Sequence, residues 1–314
     1  MANTEKTGGQ DRAPRLAVGG HRGMGCTDHD FYQSRRDIAA LPVENTLESI
    51  KGAYAAGADY VEIDAVMSSD GVLFTLHNVV PADHFFGEQR PAGMLNQLAF
   101  EDIVRHGTGR GGQGRVVPLA EILQVIAEAS PKTLLWDVNI EIKGVQGSDQ
   151  PIEKNDYIKN LASVVRDSPL PTERVLFSSF ALHNIMAMSH QLPKAQYGML
   201  FGEKPDPRPV YADRRDNPSC QYLPYNPAHC AIVTGLWGEG AAPRAELGYF
   251  HPEFASLNPD TIMLAEKHGT GINSWALFED MTPQRRADYA RLADACQAED
   301  VPFSVITDYI DAFR

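Results

Sequence analysis

Residues 61–78 read VEIDAVMSSDGVLFTLHN and combine an apolar strand pattern with acidic side chains. Positions i and i+2 of a strand share a face, so Glu62 and Asp64 point the same way from a segment that is otherwise apolar. The SSDG turn signal then leads into a second apolar run that ends at His77, a pattern that predicts a β-hairpin. Because buried carboxylates are unfavourable without a partner, this pair indicates a functional site.

The same order of a β-rich run followed by a helical run recurs along the chain. A strand at 15–21 precedes a helix at 43–57, and a second strand follows at 60–68. The remaining predicted strands lie at 134–144, 175–180, 196–201, 254–258, 271–277 and 302–309. Eight strand–helix repeats predict an α/β fold of the (β/α)8 TIM-barrel type. A doubly wound open sheet is the alternative, but GGHRGMG lacks the spacing of its glycine fingerprint.

Two stretches interrupt this repeat and are predicted to be insertions. The first, at about 79–117, contains the Gly-rich GTGRGGQG, which we interpret as a loop because no strand precedes it and no helix opens from it. The second, at about 202–255, is rich in Pro, Asn, Tyr and Gly and predicts a long loop. Residues 1–14 predict a disordered tail, and 15–314 a single catalytic domain.

The composition excludes several classes of protein. With 314 residues, 43% of them hydrophobic, the chain can bury a large core. Its net charge of −13 argues against a nucleic-acid partner, since phosphate neutralisation needs clustered Lys and Arg. The polar start lacks the apolar centre of a secretion signal, and no apolar run is long enough to span a bilayer, so we expect a cytoplasmic protein without stable membrane insertion. The oligomeric state is left open.

Charged side chains stand on or just after the predicted strands, where a TIM barrel builds its active site. They are His21, Arg22, Glu62, Asp64, His77, Glu141 and Lys143. Three carboxylates buried side by side need a neutralising charge, which one divalent cation supplies. A set of oxygen ligands favours Mg²⁺ or Ca²⁺ over zinc or copper. We therefore predict a metal site at Glu62, Asp64 and Glu141.

The remaining charged residues indicate phosphoryl chemistry. His21 and His77 could divide proton transfer between a base and an acid, because imidazole titrates near neutral pH. Arg22 and Lys143 would bind an anion beside the cation.

Seven motifs occur in a specific order along the chain. They are HRG (21–23), ENTLES (44–49), VEIDAVMSSDGVLFTLHN (61–78), EIK (141–143), SSF (178–180), Trp275 and ITD (306–308). In this order they resemble the glycerophosphodiester phosphodiesterase family. The resemblance implies a TIM barrel with a small insertion after the second strand, and metal-assisted cleavage of a glycerophosphodiester to glycerol 3-phosphate and an alcohol. A cyclic phosphate formed by the glycerol 2-hydroxyl is one possible route.

The resemblance also implies roles for individual residues. Glu62, Asp64 and Glu141 would be the metal ligands, His21 and His77 the acid/base pair, and Arg22 and Lys143 the phosphate-binding cations. Glu44 would lie in the same pocket and orient Arg22 or contribute to the environment of the ion. Trp275 would offer an aromatic wall for a glycerol or choline-like group, although a role in capping the barrel core is nearly as plausible.

Some positions depart from the family pattern. Asn78 replaces the usual Asp after His77, Val43 replaces the Pro of PENT, and Ala-Leu-Phe follows Trp275. These changes leave the proposed ligands intact and predict an unusual preference for the alcohol. Three alternatives stay open: a sugar phosphodiester substrate, a lysophospholipid cleaved as by a phospholipase D, and a catalytically silent binding barrel. We expect Asp308 to tie the last strand to its neighbours.

Overall fold

Eight parallel strands close into a barrel, as the sequence predicts. The computed structural model describes residues 16–27, 40–77, 81, 86, 91–106, 115–132, 136–143, 156–202, 223–276 and 282–314. The strands are β1 (Ala17–Gly20), β2 (Tyr60–Met67), β3 (Leu73–Thr75), β4 (Val138–Ile142), β5 (Val175–Ser179), β6 (Gln196–Phe201), β7 (Leu247–Pro252), β8 (Gly271–Ala276) and β9 (Phe303–Thr307). The ring closes because β1 pairs in parallel with both β9 and β2. The predicted hairpin is confirmed, since β3 pairs antiparallel with β2.

Helices alternate with these strands and cover the outside of the barrel. They are α1 (Leu47–Ala55), α2 (Phe100–His106), α3 (Leu119–Ala129), α4 (Tyr157–Asp167), α5 (Leu182–Gln191), α6 (Pro227–Gly240), α7 (Pro259–His268) and α8 (Pro283–Ala298). Their starts follow ordinary capping chemistry. Thr46 accepts a hydrogen bond from the Ser49 backbone at the start of α1, and Pro227 follows the cap residue Asn226 at the start of α6.

Aromatic side chains close the barrel at the N-terminal ends of its strands. Trp136 packs edge-on against both Tyr60 and Tyr249, with ring centroids 5.7 and 4.8 Å apart. Gly19 makes room for this arrangement, because a Cβ atom there would lie 2.3 Å from the Tyr60 ring. The barrel interior is therefore closed at the N-terminal ends of its strands, and a ligand must enter from the C-terminal ends.

A second hydrophobic cluster lies beneath the hairpin. Val66 and Phe74 from the paired strands pack there with Val43, Leu95 and Ile103. This cluster fixes the hairpin against the segment that precedes α1 and against the described part of the first insertion. It thereby holds His77, which follows β3, at the C-terminal end of the barrel.

The sequence-based strand at 254–258 is wrong. The sixth parallel strand is Leu247–Pro252, and Phe254–Ser256 forms a short 3-10 helix. The physical reason lies in Asn258, whose side chain accepts from the Thr261 backbone in a capping box, so the chain turns into α7 at that point.

The second insertion is also shorter than predicted. Helix α6 and strand β7 both lie inside the predicted 202–255 stretch and are regular parts of the barrel. Pro227, which suggested a loop, is tolerated because the first helical position has no hydrogen bond to lose. The predicted tail at 1–14, the departure at Asn78 and the GTGRGGQG loop lie outside the described residues.

A buried ion pair at the N-terminal end of the barrel gives a prediction about stability. Asp137 is fully buried and binds Arg174 through Nε at 2.7 Å and Nη2 at 2.6 Å, and Lys132 Nζ at 2.9 Å. Replacing Asp137 with Asn should lower the free energy of unfolding by about 3 kcal/mol at pH 7, because two cations lose their partner. Urea denaturation measures this loss. The exposed Asp156, paired with Lys159, provides the control Asp156→Asn, which should change stability by less than about 0.5 kcal/mol.

The pH dependence follows from the pKa of Asp137. Burial opposes its ionisation, but the hydrogen bonds from Arg174, Ser130 and Lys132 outweigh burial and hold the pKa below its usual value. The stabilisation is therefore complete above the pKa of the unfolded chain and is lost as the pH falls below about 4. The difference between wild type and Asp137→Asn should narrow over that range. A difference that is constant down to pH 3 would contradict this assignment.

Candidate active site

Side chains from three neighbouring parallel strands converge at the open end of the barrel. Asp64 on β2 stands directly opposite Glu141 on β4 in the strand register, and Glu62 lies two residues before Asp64. His21 and Arg22 follow β1, and β1 is the other neighbour of β2. The regular alternation of parallel strands thus brings together residues that are up to 120 positions apart.

The three carboxylates form a compact cluster. One oxygen from each of Glu62, Asp64 and Glu141 lies within 4.8 Å of the others. Glu62 and Asp64 are buried, and Glu141 is partly exposed towards the cavity. Burial raises the pKa of Glu62 well above its usual value, and repulsion by the neighbouring carboxylates raises it further. Such a set of clustered, desolvated oxygens fits a hard divalent cation, which would relieve the repulsion.

Two basic side chains border the cluster. Lys143 Nζ lies 2.9 Å from Asp64 and 2.8 Å from Glu141, and Arg22 Nε lies 3.3 Å from Asp64. Burial opposes ionisation of Asp64, but Lys143 and Arg22 outweigh it and hold the pKa of Asp64 well below its usual value. Glu44 in turn binds the Arg22 guanidinium at 2.7 Å and is itself held by the Thr27 backbone N–H at 2.7 Å. The two cations are thus kept in place beside the carboxylates.

His21 is oriented by a residue at the opposite end of the chain. Its Nδ1 atom lies 2.8 Å from the Asp308 carboxylate, while its Nε2 atom lies 4.0 Å from Glu62. Asp308 also accepts a hydrogen bond from the Cys26 backbone at 2.7 Å. The expectation that Asp308 ties the last strand to its neighbours describes only part of its contacts. Its direct link to His21 was missed, although its place at the end of β9, beside β1, was a usable signal.

His77 approaches the cluster from the hairpin. Burial, followed by the charges of Arg22 and Lys143, lowers the pKa of His77 well below its usual value. The imidazole is therefore neutral at neutral pH and can accept a proton. Asn78 lies outside the described residues, so its effect on His77 stays a prediction.

Two residues at the site have left-handed backbone conformations. Arg22 has a φ of 49° and Asn45 a φ of 58°, values that are uncommon outside glycine. The turn at Asn45 lets its side chain form two hydrogen bonds with Asp64. It donates to Oδ2 at 2.9 Å and accepts from the Asp64 backbone N–H at 3.1 Å. Sequence reasoning missed this role of Asn45. The signal was the residue type, because asparagine tolerates this region better than most side chains.

A cavity of about 160 Å³ lies above the carboxylates. One side is polar and contains Glu62, Glu141, the two histidines and the two basic residues described above. The other side is apolar and consists of Phe180, Leu200, Trp275 and Ile306. Trp275 is fixed by a hydrogen bond from its Nε1 atom to the His251 carbonyl at 3.0 Å. The cavity can therefore receive a small anion that carries an apolar or amphipathic part.

Residues 21–312 match the sequence profile of the Glycerophosphoryl diester phosphodiesterase family. The chain belongs to this family. A glycerophosphodiester phosphodiesterase of Caldanaerobacter subterraneus subsp. tengcongensis is 24% identical over 267 residues, which cover 83% of this chain and 88% of that protein. As a member of the Glycerophosphoryl diester phosphodiesterase family, the chain is an enzyme that hydrolyses glycerophosphodiesters.

Solved structures of the family share the fold. The crystal structure of glycerophosphodiester phosphodiesterase from Agrobacterium tumefaciens has a TM-score of 0.59 at 19% identity and covers 95% of this chain and 98% of that chain. A phosphodiesterase of Oleispira antarctica, solved with the product sn-glycerol-3-phosphate, has a TM-score of 0.60 at 17% identity, with 95% of each chain covered. These likenesses support the TIM barrel.

Within this family member, the structure brings the predicted site residues to one place. His21, Arg22, Glu62, His77, Glu141, Lys143 and Trp275 all line the cavity. Asp64 and Glu44 lie behind it and hold Lys143 and Arg22, respectively. His251 is buried but does not line the cavity. Among the described residues, no helix is both long and apolar enough to cross a bilayer.

Proposed function

We propose that this enzyme cleaves a glycerophosphodiester to glycerol 3-phosphate and an alcohol with one divalent cation, Mg²⁺ or Ca²⁺, held by Glu62, Asp64 and Glu141. The observation that carries the proposal is the cluster of three carboxylate oxygens within 4.8 Å beside two histidines and two basic residues. When bound, the cation supplies Lewis-acid polarisation of a phosphoryl oxygen.

Arg22 and Lys143 bind the phosphoryl oxygens in this proposal. Both side chains line the cavity, and their positions are fixed by Glu44 and by the carboxylate cluster. Because they are charged before the substrate arrives, they stabilise the negative charge that develops in the transition state without further reorganisation. Trp275 lies on the apolar side of the cavity, where it can pack against carbon atoms of the substrate.

His21 and His77 divide the two proton transfers. One histidine takes a proton from the attacking hydroxyl, a new P–O bond forms, and the P–O bond to the alcohol breaks as the other histidine protonates the leaving oxygen. Asp308 holds His21 in one orientation throughout. The attacking hydroxyl belongs either to water or to the glycerol 2-position; in the second case, a cyclic phosphate forms and water opens it in a later step.

Product analysis tests the proposal. The purified enzyme should release glycerol 3-phosphate from glycerophosphocholine or glycerophosphoethanolamine in the presence of Mg²⁺ or Ca²⁺, as detected by a coupled glycerol 3-phosphate dehydrogenase assay. A lysophospholipid and a sugar phosphodiester serve as the competing substrates. Faster turnover of either would replace the substrate in this proposal, and no turnover on the whole panel would favour a silent binding barrel.

A further inference from the structure

Two polar side chains that line the cavity lack hydrogen-bond partners within the described part of the chain: Asn139, and Ser178, which stands opposite Glu141 on the neighbouring strand. Asn139 on β4 and Ser178 on β5 both line the cavity, and both are fully shielded from solvent. Neither amide atom of Asn139 nor the hydroxyl of Ser178 has a partner among the described residues. The neighbouring Ser179 behaves differently, because its hydroxyl donates to the Ile142 carbonyl at 2.9 Å and accepts from the Ala181 backbone at 3.1 Å.

Unpaired polar atoms of this kind are unfavourable in a folded protein. A buried donor or acceptor without a partner loses about 1–3 kcal/mol relative to its hydrated state. Most buried polar groups are therefore paired, and exceptions in a functional cavity indicate a group that arrives with a ligand. Asn139 offers a donor and an acceptor side by side, and Ser178 offers a hydroxyl, a combination that suits a hydroxyl group of the ligand.

The position of Asn139 determines which part of the substrate reaches it. Asn139 stands opposite Glu62 in the strand register and two residues before Glu141, so it lies deeper in the barrel than the upper carboxylates. Its neighbour on the other side is Leu176, which belongs to the aromatic cluster that closes the barrel below. The bottom of the cavity is thus closed and small, whereas the mouth is open to bulky groups.

We propose that Asn139 and Ser178 bind the terminal hydroxyl of the glycerol unit, so that glycerol enters first and the variable alcohol faces the mouth. This inference rests on the proposed glycerophosphodiester substrate. The terminal hydroxyl is the glycerol group farthest from the phosphate, and with the phosphate at Arg22 and Lys143 it points towards the closed end. The apolar wall of Phe180, Leu200 and Trp275 accommodates the carbon chain. Asn139 and Ser178 thereby set the preference for glycerol.

The test compares two substrates that differ only in this hydroxyl. One is glycerophosphocholine, and the other is its analogue built on propane-1,2-diol, which keeps the 2-hydroxyl and lacks the terminal one. Wild-type enzyme should prefer glycerophosphocholine by roughly 10- to 100-fold in kcat/KM, because the analogue leaves the side chains of Asn139 and Ser178 without a hydrogen-bond partner. Asn139→Leu, which keeps a branched side chain, should reduce this preference to less than about 3-fold. Ser178→Ala should also reduce this preference, and it changes the side chain less than Asn139→Leu does.

Ser274→Ala is the matched control. Ser274 is equally buried and its hydroxyl is also unpartnered in the described part of the chain, but it does not line the cavity. This variant should keep the wild-type preference. Calorimetric titration with sn-glycerol 3-phosphate and with propane-1,2-diol phosphate provides a second readout that does not depend on turnover, and the affinity ratio should follow the same pattern.

The outcomes separate this inference from the proposed reaction. Two results would contradict the role of Asn139 and Ser178 without affecting the proposed hydrolysis. One is a wild-type preference for glycerophosphocholine below 3-fold, and the other is an undiminished preference in both Asn139→Leu and Ser178→Ala. If the metal or histidine assignments are wrong, the Glu62, His21 and His77 variants keep their turnover, whereas the ratio of affinities for the two phosphates in the wild-type enzyme is unaffected. If Asn139→Leu does not fold, Ser178→Ala and the calorimetric ratio decide.

Discussion

Removal of the divalent cation should lower kcat/KM on glycerophosphocholine by at least about 1,000-fold. The reason is the loss of charge stabilisation at the phosphoryl group, for which about 4 kcal/mol corresponds to this factor. Dialysis against EDTA followed by a rate assay measures the effect, and Mg²⁺ or Ca²⁺ should restore the rate on addition. The ion that restores activity at the lower concentration identifies the preferred metal.

Glu62→Gln links this effect to the carboxylate cluster. Glu62 suits the test better than Asp64, since Asp64 also binds Asn45, Arg22 and Lys143, and a change there would disturb the surrounding scaffold. We expect Glu62→Gln to weaken metal binding by about 100-fold or more, measured by calorimetry, and to lower the rate at limiting metal. Glu101→Gln, on the exposed face of α2, is the matched control and should behave as wild type. Metal-independent activity would disprove the proposed site.

His21→Ala and His77→Ala should each lower kcat by about 100- to 10,000-fold, the usual contribution of a positioned acid or base. His190→Ala, at an exposed position on α5, should have no such effect. Circular dichroism and thermal melting would show whether the variants fold. Retention of more than a tenth of the wild-type kcat in both variants would contradict the acid/base assignment.

A change of leaving group then separates the two roles. An alcohol such as choline needs a proton as it departs, whereas p-nitrophenol leaves as a stable anion. The variant that lacks the general acid should therefore recover most of its lost rate on a p-nitrophenyl diester, while the variant that lacks the base should not. Burial and two neighbouring cations lower the pKa of His77, which favours its unprotonated form and therefore the role of base. His21 would then be the acid, and we expect His21→Ala to be the variant that recovers its rate.

Local sequence patterns predicted the barrel and its acidic cluster well. Glu62 and Asp64 could be found because two charges on an otherwise apolar strand conflict with burial, and such a conflict is visible without a structure. Strand β7 was missed because its local sequence does not resemble a strand. Its Gly248 and Pro252 are typical of loops, and only its pairing with β6 and β8 makes it a strand.

The supporting residues of the site could not be read from local patterns. Asn45 and Asp308 act through contacts between distant segments, such as the 287-residue separation between His21 and Asp308. The role of Asn139 could not be predicted from the sequence, because its lack of a partner depends on what surrounds it in three dimensions. Sequence patterns identify which groups are chemically unusual, but the packing of the barrel decides whether each group is satisfied.

The contact between His21 and Asp308 has a consequence for biosynthesis. The histidine is synthesised 287 residues before its carboxylate partner, which follows β9, the strand that closes the ring beside β1. A nascent chain that lacks this segment has neither a closed cavity nor an oriented imidazole. The enzyme therefore gains an oriented histidine only after β9 has joined the barrel, so a mutation that stops synthesis before Asp308 would yield protein without a functional centre.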